Sequence, residues 1–208
     1  MDAVVLTCTT GERPELMALC RRWVAKQTIV LAHVVYQAKG PVFTVLANGL
    51  ARVPPDSHAI IMEDDDWYHP DHVATLLEWL DNGAPLAASP DVRRVNVPAA
   101  RWNTKVSLTP GPGLVGVNGS YLPEYERLVR ASNSGDRDAW VRLGLKPECP
   151  STAVGVKGVG FGLPGAPGTT KKHDPRSPIV KSWHEDPGHA KMREWMRDDA
   201  QAYLDLLE

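Results

Sequence analysis

The densest group of reactive side chains is Glu63-Asp64-Asp65-Asp66, set between Ile60-Ile61-Met62 and Trp67-Tyr68-His69-Pro70. Four consecutive carboxylates raise one another's pKa, so this run is costly at the end of an apolar strand unless positive charge compensates it. A hard divalent cation does this well: Mg2+ or Mn2+ accepts one or two carboxylates and leaves positions for phosphate oxygens and water. In an open α/β sheet the ligand crevice also lies at the carboxyl ends of the strands, where this run falls. The competing reading is a solvated acidic loop ahead of a helix near Pro70. The abrupt step from apolar strand to acids favours the metal. A Walker B strand also ends in acids, but it needs a GxxxxGK[ST] loop, which the sequence lacks. An EF-hand needs alternate acids and a later Glu, also lacking.

The elements that must position this run are legible around it. Ala3 to Cys8 reads as a buried strand entering a loop at Thr9-Thr10-Gly11. Pro14 opens a helix with Leu16, Leu19, Cys20, Trp23 and Val24 on one face. Ile29 to Tyr36 is a second strand, Val42 to Leu50 a helical or mixed segment, and Ala59 to Met62 a third strand leading into the acids. Asp71 to Leu80 is helical. This alternation predicts an α/β fold with a mixed, mainly parallel sheet flanked by helices. Further on, Val92–Val97, Lys105–Leu108 and Leu114–Val117 are candidate short strands. Leu122–Leu143 reads as two helical pieces broken near Asn133-Ser134-Gly135. Residues 155–178 are rich in Gly, Pro, Thr and Lys and predict a long flexible loop that could cover a site. A terminal helix is expected from His189 to Leu207.

Bulk properties narrow the class. A chain of 208 residues with 43% hydrophobic and 23% charged side chains fits one globular domain. A formal net charge of −2 gives no global attraction to nucleic acid or anionic membrane, though local basic faces can coexist with it. Cys8, Cys20 and Cys149 lack CxxC spacing and predict reduced thiols. No run approaches the ~20 apolar residues of a membrane span, and the start of the chain does not read as a signal peptide. A cytoplasmic location is expected.

The apolar strand, acidic pair, aromatic pair and proline of residues 60–70 resemble glycosyltransferase family 2 and related enzymes of the GT-A, Rossmann-like fold. Counted back from Pro70, Glu63 and Asp65 match the two acids of the family's DxD motif, and Asp66 the acid after it. Glu63 replaces the usual first Asp, which leaves open whether Glu63 or Asp64 faces the donor. Leu6 to Leu16 is similar to the family's first strand and loop, so the resemblance gives Thr9, Thr10 and Arg13 a nucleotide-binding role. Plain helix capping is the other reading of Thr9 and Thr10. Residues Ser134 to Leu143 are similar to the family's acceptor-side motif. That match makes Asp136 the catalytic base and Asp138 the second acid, with Gly135 in place of the usual Glu. An Asp at a helix N-terminus stays ionised and can take a hydroxyl proton. The plainer reading is that both acids simply favour the helix dipole. The resemblance covers about residues 3–145.

It implies a single domain over 1–208: a nucleotide-sugar-binding half at about 1–90 and an acceptor half at about 91–208. Metal ligands would be Asp65 and Asp66, with His184 or His173 as a later ligand. Glu63, Asp64, Lys171 and Lys172 would meet the nucleotide-sugar, and Lys157 is a further candidate to cover phosphate. The implied activity is an inverting, Mn2+- or Mg2+-dependent hexosyl transfer from a nucleotide-sugar, UDP-linked by preference, to an acceptor hydroxyl. The chain's size is similar to compact phage-type enzymes that glycosylate hydroxymethylated pyrimidines in DNA. Arg93, Arg94, Arg101 and Lys105 form a basic stretch, as do Lys171, Lys172, Arg176 and Lys181; solvated surface is the commoner reading of such stretches, and contact with DNA phosphates is the other. A glycan-directed glycosyltransferase, a nucleotidyltransferase and a non-catalytic nucleotide-sugar-binding module are the alternatives.

Overall fold

The computed structural model describes residues 2–107, 115–131, 136–157 and 183–207, with backbone alone at 105 and 136–139. The strands are β1 (Ala3–Thr9), β2 (Ala32–Gln37), β3 (His58–Ile61), β4 (Trp67–Tyr68), β5 (Leu86–Ala87), β6 (Asp91–Asn96), β7 (Arg101–Val106), β8 (Gly116–Val117), β9 (Ala153–Lys157) and β10 (His184–Glu185). The helices are α1 (Pro14–Ala25), α2 (Val42–Leu50), α3 (His72–Asp81), α4 (Leu122–Ala131), α5 (Asp136–Leu143), α6 (Ala190–Met196) and α7 (Ala200–Leu204).

They build two five-stranded sheets, ordered β2-β1-β3-β8-β5 and β10-β7-β6-β9-β4. The α/β expectation holds, and both sheets are mixed. Parallel pairing runs through β2-β1-β3 and between β6 and β9, while the other pairs are antiparallel. The first sheet is covered on both faces. Val5 and Ile60 join a core with α1, α3, α6 and α7, and Val4, Leu6, Ala59 and Ile61 join a second core with α2, α4 and α5. This period-two division explains the apolar runs, since a strand buried on both faces favours apolar residues at successive positions. Burying each such Val or Ile stabilises the fold by about 1.5–3 kcal/mol. Pro14 opens α1 with its fixed φ, and Leu16, Met17, Cys20 and Trp23 form the buried stripe. Among the described residues, no helix is long and apolar enough to cross a membrane.

Four expectations need correction. The second strand begins at Ala32, leaving Ile29 and Val30 exposed outside it. Trp67–Tyr68, read as a flank of the acidic run, is a strand paired with β9. The flexible loop predicted from residue 155 starts too early, because Gly155, Val156 and Lys157 pair in β9 with β6; the rest of it, 158–178, lies outside the described residues. The terminal helix is broken. Arg197 takes a φ of 53°, and one 3-10 turn, Arg197–Asp199, separates α6 from α7.

Candidate carboxylate centre

The acidic run stands where the two sheets meet. β1 and β3 run parallel, with Leu6 opposite Ile61, and Met62 closes the pairing through a 3.0 Å bond from its N–H to the Leu6 carbonyl. The chain then leaves the first sheet, passes through the four acids and enters the second as β4. The loop is pinned by the Glu63 N–H, which donates to the Tyr68 hydroxyl at 2.6 Å.

Four neighbouring acids meet two environments. Asp64 turns inward. Its Oδ2 accepts from the Thr9 hydroxyl at 2.6 Å and its Oδ1 from Arg13 Nη2 at 2.5 Å, and it is only 2% exposed. The other three converge: one carboxylate oxygen each from Glu63, Asp65 and Asp66 lies within 4.8 Å of the others. Asp65 Oδ2 accepts from Arg13 Nη1 at 2.9 Å. Asp66 Oδ1 accepts from the Val156 N–H at 3.0 Å and from Lys157 Nζ at 3.2 Å, and Lys157 Nζ also lies 3.7 Å from Asp65.

The electrostatics follow this geometry. Burial, then the Asp66 and Asp65 charges, push Glu63 well above the usual carboxylate range. Burial also raises Asp64, against the pull of Arg13 and Thr9. Asp66 is raised by burial despite Lys157. Asp65 is the exception, because Lys157 and Arg13 together outweigh its burial and hold it low. For Lys157, burial favours the neutral amine, but Asp65, Asp66 and Glu63 hold the ammonium firmly charged. Three converging carboxylates, two of them (Glu63 and Asp66) raised by burial and by their acidic neighbours, fit a hard divalent ion.

The sequence expectations sort as follows. Glu63, Asp65 and Asp66 are brought together, and Asp64 is tied instead to Thr9 and Arg13. Among the described residues, the Thr10 side chain makes only a 3.4 Å contact with Glu12. His184 is on edge strand β10, three strands from β9, exposed and stacked on Trp102 at 4.4 Å between centroids. At ~4.8 Å per strand it stands far from the carboxylates. Asp136 begins α5 and Asp138 lies in its first turn, with backbone alone described. Lys171, Lys172 and His173 lie outside the described residues. Lys157 is part of the carboxylate cluster itself, a role the glycine-rich context hid; the signal available was the β-branched alternation Ala153-Val154-Gly155-Val156 just before it. Gly155 permits this close packing: a Cβ there would fall 3.3 Å from Arg94 Cγ and 3.7 Å from Asp66 Oδ1.

The fold and site define a mixed α/β protein with a convergent carboxylate centre at the carboxyl end of a parallel strand pair. No family model and no curated protein matches the chain. Among solved structures it is similar to a CMP:2-keto-3-deoxy-manno-octonic acid synthetase complexed with CTP, at 14% identity and a TM-score of 0.40, over 74% of this chain and 88% of that one. A likeness this distant carries no inference about substrate or reaction.

Proposed function

We propose that the chain is a metal-dependent glycosyltransferase that moves a sugar from a nucleotide-sugar donor, UDP-linked by preference, to an acceptor hydroxyl. The observation that carries this reading is the convergence of Glu63, Asp65 and Asp66 within 4.8 Å at the end of β3. Those three residues would hold Mn2+ or Mg2+. When bound, the ion supplies positive charge against the negative charge that builds on a diphosphate leaving group.

The remaining steps belong to the chain. Asp64 fixes the Arg13 guanidinium in the loop between β1 and α1, where a phosphate oxygen could share it. Thr9 holds Asp64 in place. Asp136, at the start of α5, accepts the proton of the attacking hydroxyl as its oxygen bonds to the anomeric carbon. The bond from that carbon to the diphosphate breaks, and the nucleoside diphosphate leaves, inverting the configuration. Hydroxymethylated pyrimidines in DNA belong in the acceptor panel beside simple glycans.

The test is calorimetric titration of UDP- and GDP-sugars with Mn2+ and with chelator, followed by mass spectrometry of the acceptor panel. Donor binding that requires Mn2+, with a hexose mass added to one acceptor, is expected. Pyrophosphate release from a nucleoside triphosphate and a sugar would make the chain a nucleotidyltransferase. Metal-dependent binding without transfer or hydrolysis would leave a binding module, and no binding of any sugar nucleotide sinks the reading.

A further inference from the structure

The two faces of the second sheet differ in kind. Val95, Val154 and Val156 point into the core. Residues of opposite parity therefore share the other face: Arg94 pairs with Gly155 and Asn103, and Asn96 pairs with Lys157 and Arg101. Contacts agree, since the space above Gly155 is filled by Arg94 Cγ and Asp66 Oδ1, and Lys157 reaches Asp66. The face carries guanidinium, ammonium and amide groups and is continuous with the carboxylates.

Arg94 stands out on it. Its side chain is half-buried, and among the described residues it makes no hydrogen bond and no ion pair within 4 Å. It feels Asp66 and Glu63 only at longer range, and burial lowers its pKa despite them. A guanidinium has five donors in a planar fork that suits phosphate. Its neighbour Arg93 points the other way, with Nε 3.2 Å from Asp91 Oδ2 and the guanidinium 5.8 Å from the Trp195 ring. The basic stretch in the sequence is thus split between two faces, and Arg94 is on the one that leads to the carboxylates.

We propose that this polar face, centred on Arg94, binds a phosphate group carried by the acceptor. The assignment to the acceptor rests on the glycosyltransferase reading. It follows from the arrangement of the cations: Arg13, at the end of the first sheet, engages Asp64 and Asp65, whereas Arg94 approaches from the second sheet toward Asp66 and Glu63. The carboxylates at least match the charges of Arg13, Lys157 and Arg94, so the centre alone offers an anion no net positive charge. A doubly charged ion supplies it, so ion and phosphate strengthen each other's binding.

The experiment titrates inorganic phosphate, glucose 6-phosphate and a short single-stranded oligonucleotide, each with Mg2+, into wild type, Arg94→Gln and Arg93→Gln, with UDP titrated in parallel. Arg94→Gln should weaken phosphate and at least one phosphorylated probe by about tenfold or more, the scale of a charge-assisted pair. UDP binding should hold in both variants, and Arg93→Gln should match wild type throughout. The probe that binds better identifies the source, a free sugar phosphate or a nucleic-acid backbone. Should Arg94→Gln not fold, Arg94→Lys and the Arg94 Nε–H resonance of 15N-labelled wild type give the same reading: that signal must shift on adding phosphate. Equal phosphate binding by wild type and Arg94→Gln overturns the subsite, as does a wild type that binds none of the probes. A loss of UDP equal to the loss of phosphate overturns the acceptor assignment. If wild type fails to bind UDP yet holds phosphate through Arg94, the glycosyltransferase reading falls and the anion subsite stands.

Discussion

Asp64 and its neighbours Glu63, Asp65 and Asp66 are the same kind of group within four residues, yet they divide into two regions. Asp64 belongs to the first sheet, buried against Thr9 from β1 and Arg13 from the loop after it. The other three converge beside the second sheet, where Val156 and Lys157 of β9 hold Asp66. The first arrangement satisfies every oxygen with a fixed donor and is a structural clamp. The second keeps a partly buried Glu63 whose charge nothing among the described residues fully balances, which is the condition for receiving a cation. Acid count does not distinguish the two; the source of the compensating charge does.

The sharpest way to break this comparison is to remove one acid from each side. Asp64→Ala leaves the Arg13 guanidinium half-buried without its inner partner, and breaking such a pair costs about 3–5 kcal/mol. A large fall in the urea midpoint is expected; an unchanged midpoint would mean that Asp64 is no clamp. Glu63→Gln should do the reverse. Its carboxylate is raised well above its ordinary range by burial and by Asp66 and Asp65, so a neutral amide relieves repulsion and the metal-free midpoint should rise. Mn2+ binding, followed by electron paramagnetic resonance, should weaken by about tenfold, about 1.4 kcal/mol. A destabilised Glu63→Gln protein with intact Mn2+ binding would reverse the two roles.

A smaller effect tests the support beneath the second region. His72 is buried, its ring 4.9 Å from that of Tyr68, the residue that pins the Glu63 N–H. Burial, and then the charge of His69, depress its pKa from 6.5 to about 3. The unfolded chain therefore binds the His72 proton between about pH 3 and 6.5 while the folded chain does not. The stability this histidine allows is full above pH 6.5 and is lost as pH falls toward 3, with a limiting slope of about 1.4 kcal/mol per pH unit. Carboxylates also change charge on acidification, so the test is the difference between wild type and His72→Gln. That difference should grow in the variant's favour below pH 6.5, and a flat difference from pH 7 to 4.5 would show that His72 is not held neutral.

Much of the first region was legible in the sequence because its signals are local. Apolar runs define β1 and β3, Pro14 and the Leu16-Cys20-Trp23 spacing define α1, and the step at Met62 locates the acids. The second region was hidden because it is assembled over long distances. Lys157 lies 91 residues from Asp66, and its strand is set among glycines that read as a loop. Which of Glu63 and Asp64 faces inward depends on the Thr9 hydroxyl, and consecutive acids carry no periodicity from which to infer it. The break at Arg197 is equally silent, since a non-glycine residue at φ 53° is imposed by packing rather than local preference.

The smallest expected effect separates two adjacent threonines to which the family resemblance assigns one role. Thr9 is 4% exposed, donates to Asp64 at 2.6 Å and accepts from the Gly11 N–H at 3.1 Å. Thr9→Val keeps the shape but leaves a buried carboxylate oxygen and a backbone N–H each short of a partner, a loss of about 1–3 kcal/mol. Thr10 is partly exposed and, among the described residues, reaches only Glu12, at 3.4 Å. Thr10→Val should therefore stay within about 0.5 kcal/mol of wild type in urea unfolding. Its use lies in the pairing with a UDP titration. If Thr10→Val leaves both stability and UDP affinity intact, the loop contributes through Thr9 and the Asp64 clamp alone. If it weakens UDP with stability unchanged, the Thr10 hydroxyl meets the nucleotide directly, and the first region holds ligand as well as structure.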